Sequence, residues 1–215
     1  MDKVRSALQT GSMLLWLAML CGGESSLAQT TPDAATKQAA RTLAASICSR
    51  CHGVDGRSTD PTVPNVAGQQ QSYIEVQLKA FRAQDRRDPE AHDYMWGISS
   101  AWLLNDQIVT AIASYYSSQS PAPGKPGDPA VVATGKQLYE KGSPDRAIPP
   151  CAACHGVNAE GLSVFPRLAG QHSQYLARQM QMLRVRLRDS PVMHGIARDL
   201  SDEEIIAVAA YLQSK

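Results

Sequence analysis

The sequence Cys48-Ser49-Arg50-Cys51-His52 decides the fold, and it returns later in the chain as Cys151-Ala152-Ala153-Cys154-His155. Cys-x-x-Cys-His is the attachment sequence of a c-type haem. Two thiols one helical turn apart can add to the two vinyl groups of one porphyrin as thioethers, and the next residue can bind the iron through its imidazole. The two copies therefore predict two covalently bound haem c groups. Their attachment residues are Cys48, Cys51, Cys151 and Cys154, and their proximal iron ligands are His52 and His155.

Zinc sites and redox dithiols also use Cys-x-x-Cys pairs. Four thiolates from two pairs can form a tetrahedral zinc site, and a thioredoxin-like protein uses one pair for dithiol chemistry. Neither reading explains the histidine directly after each second cysteine, nor the glycine that follows it, Gly53 or Gly156. A dithiol pair would also need a strand and a helix around it, a context that both pairs lack. The repeated motif therefore favours haem.

The amino terminus has the pattern of a secretory signal peptide. Lys3 and Arg5 form a short basic region, residues 13–20 are apolar, and small residues precede a cut after Ala28. The apolar stretch is shorter than the roughly 20 residues that span a bilayer as a helix. We therefore predict a signal peptide at residues 1–28 and export to the periplasm.

The cysteine and charge counts agree with this interpretation. The chain has five cysteines, and removal of the signal would remove Cys21 and leave the four that the two motifs use. Leu20, rather than a small residue, precedes Cys21, which argues against a lipid anchor and leaves peripheral membrane association at most. The chain's 21 basic and 20 acidic residues lack the excess of positive charge that is typical of nucleic-acid-binding proteins.

Matching segments follow both motifs in the same order, which indicates two homologous domains. The pairs are Val63–Gln69 with Phe165–Gln171, Tyr73–Leu78 with Tyr175–Met180, Met95–Ile98 with Met193–Ile196, and Ala113–Tyr116 with Ala209–Leu212. The first copy carries a polar insertion at residues 83–93. Between the copies, the proline and glycine residues of Gln119–Asp128 predict an extended, semi-rigid linker. We place the first domain at residues 29–118, the linker at 119–134 and the second domain at 135–215.

The apolar periodicity predicts an all-α fold. Tyr73 to Phe81 has helical spacing, and Ser201 to Glu204 has the pattern of a capping box that opens a helix. Asn105 begins the equivalent helix of the first copy. Residues 135–139 look like the first helix of the second copy. Neither copy shows a convincing alternating strand pattern.

The second axial ligand of each haem decides between electron transfer and ligand binding. Met95 and Met193 occupy equivalent places in the repeat, each in a Met-x-Gly-Ile sequence. A thioether sulfur favours ferrous iron and raises the reduction potential, so we predict these two residues as distal ligands. His92, three residues before Met95, stays open as an alternative that would give two imidazole ligands. His172 and His194 have no counterparts in the first copy and are expected at the surface.

With these motifs the chain resembles the dihaem cytochrome c4 family. Two Cys-x-x-Cys-His-Gly domains, each with a Pro-x-Leu-Ala-Gly-Gln type segment and a distal methionine, carry the resemblance from about Ala39 to Leu212. The resemblance implies two tandem class I cytochrome c domains that pack across a pseudo-twofold interface. It also implies a periplasmic electron carrier, with a quinol-oxidising complex and a terminal oxidase as redox partners. Val66 departs from the family pattern, because leucine is usual there.

We therefore expect a soluble periplasmic protein that carries one electron per haem toward a terminal oxidase and is not an enzyme. Two alternatives stay open. Close relatives serve as haem subunits of periplasmic dehydrogenases, including the sulfide-oxidising flavocytochromes. A dihaem oxidoreductase would instead need an exchangeable or unusual ligand on one iron, such as an open site or His92 in place of the methionine.

Overall fold

The structure is a computed structural model that describes residues 31–101 and 104–215. The predicted signal peptide and Cys21 lie outside these residues. Thr31 to Lys215 form one compact unit, and β-structure in its described part is limited to three isolated bridges. The prediction of an all-α fold is confirmed. None of the helices in the described ranges is long and apolar enough to cross a membrane.

The two copies of the repeat have the same order of helices. Those of the first copy are α1 (Ala34–Leu43), α2 (Ser49–His52), α3 (Gln71–Arg82), α4 (His92–Ser100) and α5 (Asp106–Ser117). Those of the second are α6 (Pro129–Lys141), α7 (Ala152–His155), α8 (Ser173–Arg184), α9 (Pro191–Arg198) and α10 (Asp202–Gln213). A π-helical turn, Ala44–Cys48, joins α1 to α2. The short second helix of each copy carries the Cys-His motif.

Side-chain caps fix the start of the last helix in each copy. The Asn105 side chain accepts a hydrogen bond from the backbone N–H of Ile108 at 3.0 Å and caps α5. Ser201 and Glu204 exchange hydrogen bonds with each other's backbone N–H in a capping box on α10. Both starts agree with the sequence prediction. The apolar face of α10 is buried, at Ile205, Val208, Ala209 and Leu212.

The first helix of the second copy begins earlier than the sequence suggested. We interpreted residues 135–139 as its start, whereas α6 begins at Pro129, within the residues assigned to the linker. The Asp128 side chain accepts hydrogen bonds from the backbone N–H groups of Ala130 and Val131 and so caps the helix. Proline suits the first helical turn because its missing N–H would have no helical partner there.

Each copy has its own core, built where its first helix crosses its last. In the second copy, Gly135 of α6 approaches α10 so closely that an added Cβ would stand 1.9 Å from the carbonyl oxygen of Ala207. In the first copy, Ala40 and Ala44 are fully buried in one apolar cluster with Ile112 of α5. Small side chains therefore bring the crossing backbones together in both copies.

The linker packs on two matching glycines, one from each copy. A Cβ on Gly68 would lie 2.4 Å from Pro121, and a Cβ on Gly170 would lie 2.3 Å from the carbonyl oxygen of Ala122. Both glycines have positive φ, 65° and 72°, a conformation that disfavours other residues. The glycine of each Ala-Gly-Gln sequence is thus required by a left-handed turn beneath the linker.

We expect Gly135→Ala to lower the free energy of unfolding by about 1–3 kcal/mol, the usual range for overpacking, because the new methyl group must displace α10. Denaturant unfolding of the holoprotein, followed by circular dichroism, measures the change. Thr134→Ala is the matched control, since Thr134 directly precedes Gly135 on the same helix and its side chain is exposed. That alanine should leave stability unchanged or raise it. Equal destabilisation by both substitutions would contradict the close crossing.

Candidate functional site

The two Cys-His motifs adopt the same local structure. Cys48 and Cys151 each directly precede a four-residue helix, α2 or α7, whose last residue is the histidine of the motif. The second cysteine of each pair lies on that helix. All four thiols are free; Cys51 and Cys154 are exposed, and the other two are half-buried. Both pairs are therefore available for thioether bonds.

The half-buried cysteines, Cys48 and Cys151, pack against the apolar cores of their copies. Burial raises the pKa of both thiols, that of Cys151 to about 11, so they are neutral near pH 7. An uncharged thioether suits the same apolar surroundings. In residues 31–101 and 104–215 no three His, Cys, Asp or Glu side chains converge as a metal site.

Each motif histidine is anchored by a proline of the matching segments. The Nδ1 atom of His52 lies 2.9 Å from the carbonyl oxygen of Pro64, and that of His155 lies 3.1 Å from the carbonyl oxygen of Pro166. Because a carbonyl oxygen only accepts, Nδ1 carries the proton and the lone pair of Nε2 is left for a metal. Burial lowers the pKa of both imidazoles, which favours the neutral form that binds iron.

The two predicted distal methionines keep their equivalence in the structure. Met95 lies on α4 and Met193 on α9, the fourth helix of each copy. Both are half-buried, and Ile98 and Ile196, three residues further along, pack against the respective cores. Iron ligation by these two sulfur atoms stays a prediction.

His92, the alternative ligand, is the first residue of α4. Its Nδ1 atom lies 3.0 Å from Oδ1 of Asp93, and its ring stacks nearly parallel to Trp96, with centroids 6.3 Å apart. Its Nε2 atom is buried without a hydrogen-bond partner. With the Nδ1 proton donated to Asp93, Nε2 carries a free lone pair. His92 therefore stays an alternative to Met95.

The prediction that His172 and His194 lie at the surface is wrong for His172. This side chain is only 3% exposed, and its Nε2 atom lies 3.0 Å from the carbonyl oxygen of Ser58 in the first copy. His194 is half-buried, with Nδ1 3.0 Å from the carbonyl oxygen of Leu183. We expected His172 to be exposed because the first copy has no histidine at the equivalent position. The structure instead places it in the interface between the copies, where it hydrogen-bonds to Ser58.

A buried ion pair of the first copy joins the two copies at the polar insertion. Arg86 donates to both carboxylate oxygens of Asp88, at 3.0 and 3.1 Å, and the two residues are 5% and 1% exposed. The same guanidinium donates across the interface to the hydroxyl of Tyr175 at 3.2 Å and to Oε1 of Gln179 at 2.9 Å. Burial opposes the charged carboxylate, yet Arg86 and Gln179 hold the pKa of Asp88 below its usual value.

Arg188 of the second copy makes the equivalent contact with the first copy. It donates to the hydroxyl of Tyr73 and to Oε1 of Gln77. Arg86 and Arg188 also pair through their backbones as an antiparallel bridge. Sequence reasoning treated residues 83–93 only as a polar insertion and missed this interface. The available signal was an arginine at a similar place in each copy. Arg86 lies between the helix that contains Tyr73 and Met95, and Arg188 lies between the helix that contains Tyr175 and Met193.

Comparison with known proteins gives matches along nearly the whole described chain. The family model for cytochrome c matches twice, at residues 38–120 and 132–215. Cytochrome c4 of Thiocapsa roseopersicina is 38% identical over 188 residues, 85% of this chain and 94% of that protein. The thiosulfate dehydrogenase electron acceptor of Thiomonas intermedia (strain K12) is 30% identical over 217 residues, 97% of this chain and 89% of that protein. The solved cytochrome c4 structure from Acidithiobacillus ferrooxidans is 36% identical, with a TM-score of 0.73, and the match covers 78% of this chain and 98% of that one.

These matches confirm two predictions, the two tandem cytochrome c domains and the two covalently bound haem c groups. The residues fit such groups, because each copy offers two free thiols, a neutral imidazole anchored through Nδ1, and an apolar core beside one of the cysteines. When bound, the haem iron supplies reversible one-electron chemistry.

We expect Asp88→Ala to lower the free energy of unfolding by about 3–5 kcal/mol, because it leaves the buried Arg86 charge without its carboxylate. Glu90→Ala is a suitable control. Glu90 belongs to the same insertion and pairs across the interface with Arg178, but its side chain is 62% exposed. Removal of such an exposed pair should change stability by less than about 1 kcal/mol. Denaturant unfolding of both holoproteins gives the comparison, and a similar loss in both would contradict the role of the buried pair.

Proposed function

Because the chain belongs to the dihaem cytochrome c4 family, we propose that it is a periplasmic carrier that takes one electron on each haem and passes it toward a terminal oxidase. The observation that carries the proposal is the matched pair of sites. Each copy holds a neutral imidazole with its Nδ1 atom on a proline carbonyl, and each has a methionine at the same place on its fourth helix. Nitrogen and sulfur ligands would close both axial positions and favour electron transfer.

In this proposal the protein makes and breaks no bond of a substrate. His52 and Met95 would hold the first iron, and His155 and Met193 would hold the second. The two proline carbonyls fix the imidazole planes, and the apolar cores exclude water from the inner side of each site. The polar interface between the domains keeps the two sites at one separation. No enzymatic activity is part of this proposal.

The proposed precursor carries the signal peptide at residues 1–28. In the mature protein the first domain occupies residues 29–118, and the second begins with α6 at Pro129 rather than at residue 135, so that residues 119–128 join the two domains. The two matches to the cytochrome c model, at 38–120 and 132–215, support this division. Export would bring the cysteines to the periplasm, and the signal pattern at the amino terminus supports that location.

A second candidate function is to accept electrons as the haem subunit of a periplasmic dehydrogenase. The similarity to a thiosulfate dehydrogenase electron acceptor, over 97% of this chain, favours it. The sulfide-oxidising flavocytochromes are the other enzymes of this type to be tested. Rapid reduction of the haems by a thiosulfate dehydrogenase with thiosulfate, or by a flavocytochrome with sulfide, would identify the donor. A protein that only a quinol-oxidising complex reduces would instead be the free respiratory carrier.

The ligand assignment is tested by Met95→Ala and Met193→Ala. Each should remove about half of the charge-transfer absorption of iron–methionine coordination and lower the potential of one haem, because the sulfur no longer stabilises ferrous iron. Met182→Ala, a half-buried methionine of α8, should leave the band intact. An unchanged spectrum in Met95→Ala would overturn the assignment of that residue and point to His92, which His92→Ala then tests.

The carrier function itself predicts closed haems. The purified, oxidised holoprotein should show two low-spin haems, and low concentrations of carbon monoxide or cyanide should leave the spectra of its reduced and oxidised states unchanged. A high-spin signal from one haem, or rapid binding of either reagent, would reveal an open coordination position. That result would contradict the carrier and favour a dihaem oxidoreductase enzyme.

A further inference from the structure

Each domain extends one buried glutamine into the other. The Oε1 atom of Gln171 accepts a hydrogen bond from the backbone N–H of Asn65 at 2.9 Å, and its Nε2 atom donates to the carbonyl oxygen of Asn65 at 2.9 Å. Gln69 makes the same two bonds with Arg167, at 2.7 and 2.9 Å. The two glutamines are 6% and 7% exposed. They form a reciprocal pair of contacts, which we call the glutamine clasp.

The backbone N–H in each half of the clasp belongs to a peptide group that also anchors a motif histidine. The peptide group between Pro64 and Asn65 accepts the Nδ1 proton of His52 at its oxygen, at 2.9 Å, and donates its N–H to Gln171. The equivalent group of the second domain does the same, with 3.1 Å at its oxygen and 2.7 Å at its N–H. One peptide group therefore connects each proximal imidazole to a side chain of the opposite domain.

Hydrogen bonds at the two ends of a peptide group strengthen each other. An acceptor at the N–H increases the dipole of the group and the negative charge on its oxygen. A more negative oxygen draws the Nδ1 proton more strongly and makes the imidazole a more basic iron ligand. A more basic ligand stabilises ferric relative to ferrous iron and lowers the reduction potential.

We propose that Gln171 and Gln69 are positioning residues, each of which tunes the proximal ligand of the haem in the opposite domain. Gln171 lowers the potential of the first haem through His52, and Gln69 lowers that of the second through His155. The inference rests on the proposed role of these two histidines as iron ligands. In this proposal, one side chain that tunes the haem of each domain is supplied by the other domain.

Further hydrogen bonds hold the two glutamine side chains of the clasp in place. Oε1 of Gln171 also accepts the backbone N–H of His172 at 3.1 Å, and Oε1 of Gln69 accepts that of Gln70 at 2.9 Å. Each glutamine follows a glycine on which the linker packs. Separation of the domains would break both halves of the clasp together, so the two potentials depend on the packed state.

The test compares Gln171→Leu with Gln69→Leu in the holoprotein. A redox titration followed by the NMR signals of the haem methyl groups resolves the potential of each haem. We expect Gln171→Leu to raise the potential of the first haem alone and Gln69→Leu to raise that of the second alone. The signal of the His52 Nδ1 proton in the ferrous protein should also move to lower chemical shift in Gln171→Leu. A shift confined to the haem of the substituted domain, or no shift in either, would overturn the proposal.

Gln70→Leu provides the matched control. Gln70 also donates across the interface, from Nε2 to the carbonyl oxygen of Glu160 at 2.9 Å, and within the described residues its side chain is hydrogen-bonded to neither of the two peptide groups behind the motif histidines. Both potentials should therefore stay at the wild-type values. If Gln70→Leu shifts them as much as Gln171→Leu does, general loosening of the interface is the cause and the proposal fails. Failure of the proposed carrier function is distinct, since it appears as a high-spin or open haem in the unsubstituted protein.

Discussion

The hydrogen bond from each motif histidine to a proline carbonyl is the contact on which the rest of the structure depends. At 2.9 Å in the first domain and 3.1 Å in the second, it joins the short cysteine-bearing helix to the segment that crosses beneath the linker. Burial keeps the imidazole neutral, and the carbonyl decides which nitrogen bears the proton. One contact thus fixes the tautomer, the ring plane and the place of the attachment helix relative to the rest of the domain.

The interface between the domains is polar, although each domain has an apolar core of its own. Arg86 and Asp88 are almost fully buried there and share Gln179 as a partner. Burying such a pair is unfavourable unless nearly every donor and acceptor finds a partner, so the arrangement adds little stability over an apolar contact. The buried ion pair does favour one relative orientation of the two domains, because a small rotation of one domain would leave charges unpaired. A fixed geometry of the interface keeps the two Cys-His motifs at one separation.

The sequence predicted the features that depend on local pattern. The repeated Cys-His motif, the capping box at Ser201 and the matching segments can each be recognised from residues that are close in sequence. All three agree with the structure. The start of α6 was missed because the linker was extended from the proline- and glycine-rich residues 119–128 to residue 134, although Pro129 stands where proline favours a helix. The partners of Arg86 and His172 in the opposite domain lie about 90 and 114 positions away in the chain. The apolar periodicity of a helix predicts which of its faces is buried. It does not predict polar contacts with residues so far away in the sequence.

The matching Ala-Gly-Gln sequences show why the two domains depend on each other. In each domain the alanine N–H bonds to the turn after the motif, at Gly56 or Ala159. The glycine turns beneath the linker, and the glutamine crosses to the other domain. Of these three adjacent residues, the alanine thus contacts its own domain, the glycine lies against the linker, and the glutamine contacts the opposite domain. A single domain cut from the chain would keep its cysteines, histidine and methionine, but the peptide group behind its histidine would lose an acceptor. The surroundings of each histidine are therefore complete only in the full chain.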